Sequence, residues 1–128
     1  MSGEIKIEEE FLVFELHGSD AIESLKRHIR IPLDHILSVS TDKVPWIGPG
    51  IRIMGTSLPG IVKAGTFISK EGFMFYDVHN PNKCITLALT EEKYKKIIFQ
   101  VPDKNKTAEM IKKAIESRKR KIKRKMLR

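Results

Sequence analysis

The sequence of 128 residues has one cysteine, one tryptophan and no apolar run long enough to cross a bilayer as a helix. Because Cys84 stands alone, the sequence excludes an internal disulfide and a cysteine-based metal site. The first residues contain neither the cationic segment nor the apolar segment of a secretory signal, so no such signal is predicted. Together these absences predict a cytoplasmic protein.

Acidic residues are absent from the C-terminal segment, and the whole net charge of +8 comes from that segment. Residues 118–128 carry eight cations and no anion, whereas the remaining 117 residues carry sixteen cations and sixteen anions. We therefore predict an electrically balanced single domain over residues 1–117 and a basic C-terminal tail over residues 118–128.

Glycine and proline are concentrated in residues 45–67, which hold five of the eight glycines and three of the six prolines. Glycine supplies positive φ or a close approach, and proline fixes φ and removes a hydrogen-bond donor. The stretch therefore predicts tight turns between short strands at 51–53 and 61–68. Gly65, inside the second strand, predicts a bulge or a sharp bend.

Alternation of apolar and polar residues predicts strands at 4–8 and 85–89, and short apolar segments between turns predict strands at 11–16, 36–41, 73–78 and 97–101. The first two form either a hairpin or one long bent strand, and Leu37 and Val39 are expected to point inward. Helical spacing predicts a short helix over 21–29 that ends before Pro32, and residues 90–94 suggest a helical turn. A final helix is predicted to be capped by Thr107, with its packed part ending near Ser117.

Seven or eight short strands joined by tight turns indicate a small sandwich or barrel closed by the last helix. The motifs Ile31-Pro32-Leu33, Arg52-x-x-Gly55-Thr56-x-x-Pro59-Gly60 and Ala64-Gly65-Thr66-Phe67 resemble those of the bacterial pleckstrin-homology-like families. The resemblance covers about residues 10 to 116. It implies a mainly β (β+α) fold, a partly open barrel or sandwich of about seven antiparallel strands capped by a C-terminal helix. It implies no reaction, and its structural motif comprises Arg52, Gly55, Thr56, Pro59, Gly60 and Gly65.

Catalytic and cofactor motifs are weak in this sequence. The run from Gly50 to Ser57 imitates a phosphate loop, but Thr56 stands where the loop needs lysine. We favour a turn–strand–turn, which Pro49 and the apolar residues inside the run also fit. The four histidines, His17, His28, His35 and His79, lack metal-ligand spacing. Asp77 and His79 could orient an imidazole, although such a pair more often ends a strand. We therefore predict no enzyme activity, no catalytic residue, no cofactor and no metal site.

Two features remain as candidate contacts. Trp46, between prolines, is either an exposed anchor at a loop tip or, as we favour, a cover over the end of the barrel. The basic tail has cations that suit an anionic surface, and its candidate binding residues are Arg118, Lys119, Arg120, Lys121, Lys123, Arg124, Lys125 and Arg128. Arg118 interrupts an apolar stripe formed by Ile111, Ile115, Ile122 and Met126, so the tail is expected to be solvated and helical at most when bound.

These observations predict a binding module that engages a protein partner or an anionic membrane surface, with the tail adding non-specific attraction. Attachment would be peripheral, since no transmembrane segment is predicted. The alternative is a nucleic-acid-associated protein that acts through the tail, although the tail has no aromatic side chain to stack on bases. A solubilising extension without a partner is the remaining interpretation. The oligomeric state is not predicted.

Overall fold

The computed structural model of the chain describes residues 4–15, 28–44, 51–58 and 60–127, and of residues 4, 28, 51–56 and 58 it describes the backbone alone. In this part of the chain nine strands form two sheets, which are followed by one long helix. The mainly β architecture with a C-terminal helix is therefore confirmed. The described strands do not close into a barrel, and they number nine instead of about seven.

The first sheet has three antiparallel strands in the order β1-β2-β3, with bounds β1 Glu4–Glu8, β2 Phe11–Glu15 and β3 His28–Pro32. Of the two alternatives for the N-terminus, the structure has the hairpin. The turn of this hairpin contains no glycine, and Glu9 adopts the positive φ of 54° that glycine would usually supply. Ile29, expected in a short helix, pairs with Phe14 as part of β3, so its helical assignment is wrong. The rest of that predicted helix lies outside the described residues, apart from His28, which also belongs to β3.

The second sheet has six strands in the order β4-β8-β9-β7-β6-β5. Their bounds are β4 Ile36–Ser40, β5 Ile51–Leu58, β6 Val62–Ser69, β7 Gly72–Val78, β8 Cys84–Leu89 and β9 Tyr94–Gln100. All pairs are antiparallel except β7 with β9, which run parallel. The prediction of antiparallel strands is wrong for that pair. Residues 79–93, including β8, form the connection between β7 and β9, and β9 inserts between β8 and β7.

Two local predictions fail where sheet pairing overrides the local pattern. Leu37 is 67% exposed, because the register of β4 against β8 shifts between Ile36 and Ser38 and turns Leu37 outward. Val39 does pack against the core, as predicted. Residues 90–93 form a bend, with Glu91 at φ 58°, and Tyr94 already belongs to β9, so the predicted helical turn is wrong.

The main core lies between the three-stranded sheet, one face of the six-stranded sheet and the helix. Phe14 of β2 meets Phe99 of β9 with ring centroids 4.3 Å apart, which joins the two sheets. As predicted, Ile85, Leu87 and Leu89 alternate along β8, and all three are buried in this core. A smaller cluster covers the other face of the large sheet with Val44, Phe67, Met74, Tyr76, Val78, Cys84 and Ile98.

The helix, here α1, spans Lys104–Met126. Its N-cap is Asp103, whose carboxylate accepts a hydrogen bond from the Lys106 amide at 3.1 Å. The predicted cap at Thr107 is therefore wrong, since Thr107 lies one turn inside the helix. The helix also continues nine residues past the predicted end at Ser117. The basic segment is thus an extension of the packed helix, already helical in the unbound chain.

Candidate binding surface on the C-terminal helix

The first half of α1 is anchored in the core. Ala108 and Ile111 are buried, and Ala114 and Ile115 pack partly against the same cluster. These residues recur three and four positions apart, the spacing that places side chains on one face of a helix. The second half of the helix is therefore positioned by the packing of the first half.

Arg118 marks the point where the helix leaves the core. Its guanidinium Nη2 lies 2.9 Å from Glu10 Oε2, and its Nε donates to Asp34 Oδ1 at 3.3 Å. Glu10 lies in the turn between β1 and β2, and Asp34 belongs to a 3₁₀ turn at Leu33–His35. Arg118 was predicted to bind an external anion, but two carboxylates of its own chain occupy its guanidinium. Its side chain is only 22% exposed, and its charge ties the helix to both turns.

The cations that follow are exposed. They are Lys119, Arg120, Lys121, Lys123, Arg124 and Lys125. The last predicted cation, Arg128, lies outside the described residues. Cations in the last turn of a helix interact favourably with the partial negative charge of its C-terminus, which supports helical structure here.

The exposed cations divide between two sides of the helix. Lys121 and Lys125 line an open groove of about 550 Å³, and Glu9 and Glu10 line the same groove. At 100° per residue, Lys119 lies about 160° around the helix from Lys121, which places Lys119 away from the groove. Lys123, Arg120 and Arg124 also lie outside the groove lining. This arrangement leaves the carboxylates of the β1–β2 turn on one side of the helix and Lys119, Arg120, Lys123 and Arg124 away from that turn. On that other side Arg120 shares an open pocket with Glu109 and Glu116, so on this side the cations beyond Arg120 are the ones farthest from acidic side chains.

The glycine-rich motif forms an edge strand of the large sheet and not a phosphate loop. Residues 51–58 form a strand that pairs with β6 along its length, so Arg52, Gly55 and Thr56 lie in β5. Gly65 lies opposite Gly55 and adopts φ +119°, a left-handed conformation that favours glycine. Its register against both neighbouring strands is regular, so the bulge predicted at Gly65 is wrong. Gly60 takes φ +86° in the turn before β6. The register irregularity falls on β5, between Arg52 and Met54. Pro59 and Trp46 lie outside the described residues.

The three described histidines lie in different parts of the fold. Asp77 is buried near the end of β7 and His79 follows that strand, where its amide donates to Gln100 Oε1 at 2.8 Å. The pair therefore lies at the end of β7, where the sequence predicted the end of a strand. His28 belongs to β3, and His17 lies outside the described residues.

One polar cluster was missed by sequence reasoning. His35 contacts Glu92 through Nδ1 and lies 3.3 Å from a Glu91 oxygen through Nε2. These residues are more than fifty positions apart, and no local pattern indicates their contact. Leu33–His35 and residues 90–93 meet because β4 pairs with β8, and the Thr90 amide donates to the His35 carbonyl at 2.9 Å. The cluster fastens two turns together at one end of the large sheet.

The buried polar groups of the smaller cluster have shifted pKa values. Lys63 lies with its Nζ 4.0 Å from the Tyr76 ring centroid, and burial lowers the pKa of its ammonium. Burial raises the pKa of the Cys84 thiol to about 12, the Asp77 carboxylate adds to the rise, and Lys104 opposes it. The thiol therefore stays protonated at neutral pH and is a packing group, not a nucleophile.

Comparisons with protein-family models, with curated proteins and with solved structures find no match for this chain. Within the described residues, no helix has the length and apolar character needed to cross a membrane. The same part of the chain holds no group of three or more histidine, cysteine, aspartate or glutamate side chains placed to bind a metal ion.

Proposed function

We propose that this chain is a non-enzymatic, pleckstrin-homology-like binding module that contacts an anionic surface through the end of α1. The β body would supply specific contact to its partner, and the helix would supply electrostatic attraction. The observation that carries the proposal is the row of exposed cations beyond Arg118, in a segment of 118–128 that contains no acidic residue.

The local charge arrangement supports this proposal. Arg118, the half-buried cation, is neutralised by Glu10 and Asp34, so the structure uses it to fix the helix. The following cations are left in solvent on a preformed helix. A ligand that binds them does not have to order the backbone, which removes part of the entropic cost of binding.

The coarse architecture supports the pleckstrin-homology-like part of the proposal. Two β sheets precede a C-terminal helix that packs on the core through Ala108 and Ile111. The parallel pair of β7 and β9 departs from the wholly antiparallel arrangement that the resemblance implies. The proposal of function therefore depends on the charge of the helix more than on the fold.

The test compares two triple variants of the full chain that lower the net charge equally. One replaces Lys119, Arg120 and Lys123 of the helix by glutamine, and its matched control replaces the exposed lysines Lys43, Lys70 and Lys83 of the body. Each cation near an anionic bilayer contributes about 1 kcal/mol, so the helix triple should weaken binding to phosphatidylserine vesicles about a hundredfold. The control triple should bind within a few-fold of the unaltered chain. Equal losses in the two variants would contradict the proposal, because binding would then follow overall charge.

Nucleic acid is the second anionic partner that these cations suit. Each phosphate neutralised on a duplex changes the slope of log affinity against log salt by about −0.9. If duplex DNA is the partner and the three helix cations each contact a phosphate, the helix triple should make that slope less steep by about 2.7, and the control triple should leave it unchanged.

A further inference from the structure

The apolar stripe of α1 extends beyond the body of the protein. Ile111, Ile115, Ile122 and Met126 follow each other at intervals of four, seven and four residues, so they share one face of the helix. Ile111 is completely buried, Ile115 and Ile122 are half-buried, and Met126 is 79% exposed. The face that packs in the core at its start is thus in solvent at its end.

A second apolar side chain lies beside this exposed end. Leu127, the C-cap of the helix, is 77% exposed, and its amide donates to the Lys123 carbonyl. At 100° per residue, Lys119 and Lys123 lie between Met126 and Leu127 around the helix. We call Lys119, Lys123, Met126 and Leu127 the tip face. It combines cationic and apolar side chains within the last two turns.

We propose that the tip face docks on an anionic lipid bilayer, with Met126 and Leu127 at the boundary of the acyl chains and Lys119 and Lys123 among the headgroups. This inference rests on the proposed function and names its ligand. Lysines can extend their ammonium groups to the headgroups while their stems lie along the apolar layer. Stable attachment of a peripheral protein takes two weak signals together, and the tip face combines apolar insertion with charge.

Charge complementarity decides between lipid and the other occupants. A second copy of this chain would bring two sets of exposed cations together, which is unfavourable. Nucleic acid would satisfy the cations through its phosphates, but it offers no apolar layer for Met126 and Leu127. An anionic bilayer supplies both kinds of contact, because its headgroups suit Lys119 and Lys123 and its acyl layer suits Met126 and Leu127. Lys121 and Lys125, on the groove side, face Glu9 and Glu10 and remain outside the contact.

The first experiment measures flotation of the full chain with vesicles of phosphatidylserine and phosphatidylcholine in equal parts. The variant Met126→Gln with Leu127→Gln should bind about tenfold more weakly or worse, since it keeps every cation and removes only apolar contact. The matched control, Leu37→Gln with Ile61→Gln, removes two apolar side chains of similar exposure from the body and should bind normally.

The second experiment places an environment-sensitive fluorophore on Met126→Cys or on Lys125→Cys. Cys84 is buried and does not compete for the label. On addition of the same vesicles, the emission of the probe at position 126 should shift to shorter wavelength, and that of the probe at position 125 should not. Equal shifts at both positions, or none at either, would overturn the proposed orientation.

The outcomes separate this inference from the proposed function. If the Met126→Gln, Leu127→Gln variant binds vesicles as well as the unaltered chain while the helix triple does not, the tip-face inference is wrong and the electrostatic function stands. Binding of the unaltered chain to duplex DNA without binding to vesicles would likewise overturn the tip-face inference and leave the electrostatic function standing. If the unaltered chain binds neither vesicles nor duplex DNA, both are wrong.

Discussion

Replacing Arg118 by methionine tests how the basic helix is held to the body. Methionine keeps an unbranched apolar stem but removes the guanidinium that contacts Glu10 at 2.9 Å and Asp34 at 3.3 Å. The Arg118 side chain is 22% exposed, whereas those of Glu10 and Asp34 are 47% and 44% exposed. Partly exposed ion pairs each contribute about 0.2–1 kcal/mol, so the two together should contribute about 1 kcal/mol to the free energy of unfolding.

This loss should lower the midpoint of thermal unfolding by about 4 °C in a domain of this size. Helical circular dichroism should fall as well, since residues after 118 lose their attachment to the β1–β2 turn. The effect should be clear at about 0.1 M salt and shrink at about 1 M, where charges are screened over roughly 3 Å. Urea unfolding at both salt concentrations measures the difference directly.

The control is Arg120→Met, which removes an exposed cation two residues away and should leave stability unchanged. A double variant, Arg118→Met with Glu10→Gln, should be less destabilised than the sum of its single variants, because both remove the same contact. An Arg118→Met loss that is the same at low and high salt would refute the ion-pair account. So would the absence of any loss at low salt.

Three further predictions test the core and its buried groups. Ile111→Ala should lower the free energy of unfolding by about 3 kcal/mol in urea titration, because Ile111 is wholly buried between the helix and the sheet; a loss below about 1 kcal/mol would contradict that packing. Gly65→Ala should cost about 1–3 kcal/mol in the same assay, since no L-residue adopts φ +119° without strain, and an unchanged midpoint would show that β6 can relax. The Cys84 thiol has its pKa raised from 9.0 to about 12 by burial, so its contribution to stability should be present below pH 9 and lost as the pH rises toward 12. Reaction of the native protein with a thiol reagent at pH 8 should proceed only at the rate of unfolding, and fast labelling would show that Cys84 is exposed.

The features that the sequence predicted well depend on neighbouring residues. Ile85, Leu87 and Leu89 alternate without interruption, and their burial follows from the two-residue period of a strand. Gly65 needed a conformation that only glycine adopts readily, and the sequence indicated this by placing glycine inside a strand.

The features that failed depend on partners distant in the sequence. Leu37 turns outward because of its register against β8, and β9 runs parallel to β7 because of where the β8–β9 hairpin inserts. The helix cap is a local exception: it is Asp103 and not Thr107, and the sequence could not decide between them because both residue types are good caps.

The sequence shows which cations form the candidate site, but it does not show how they are arranged. The eight cations of 118–128 are evident from the sequence, but the role of Arg118 is not, since Asp34 lies 84 residues away along the chain. Arginine at that position looked like the end of the packed helix, because an apolar stripe was expected to continue there. In the structure two carboxylates pair with the guanidinium at that position, and the helix continues to Met126.

An amide NMR titration of the full chain with bilayer discs that contain phosphatidylserine shows which residues reach the membrane first. We expect line broadening to begin at residues 119–127 and to be weaker throughout the strands, with residues 119–126 helical before any disc is added. Broadening that begins in β5 to β7 and leaves residues 119–127 sharp would contradict this expectation.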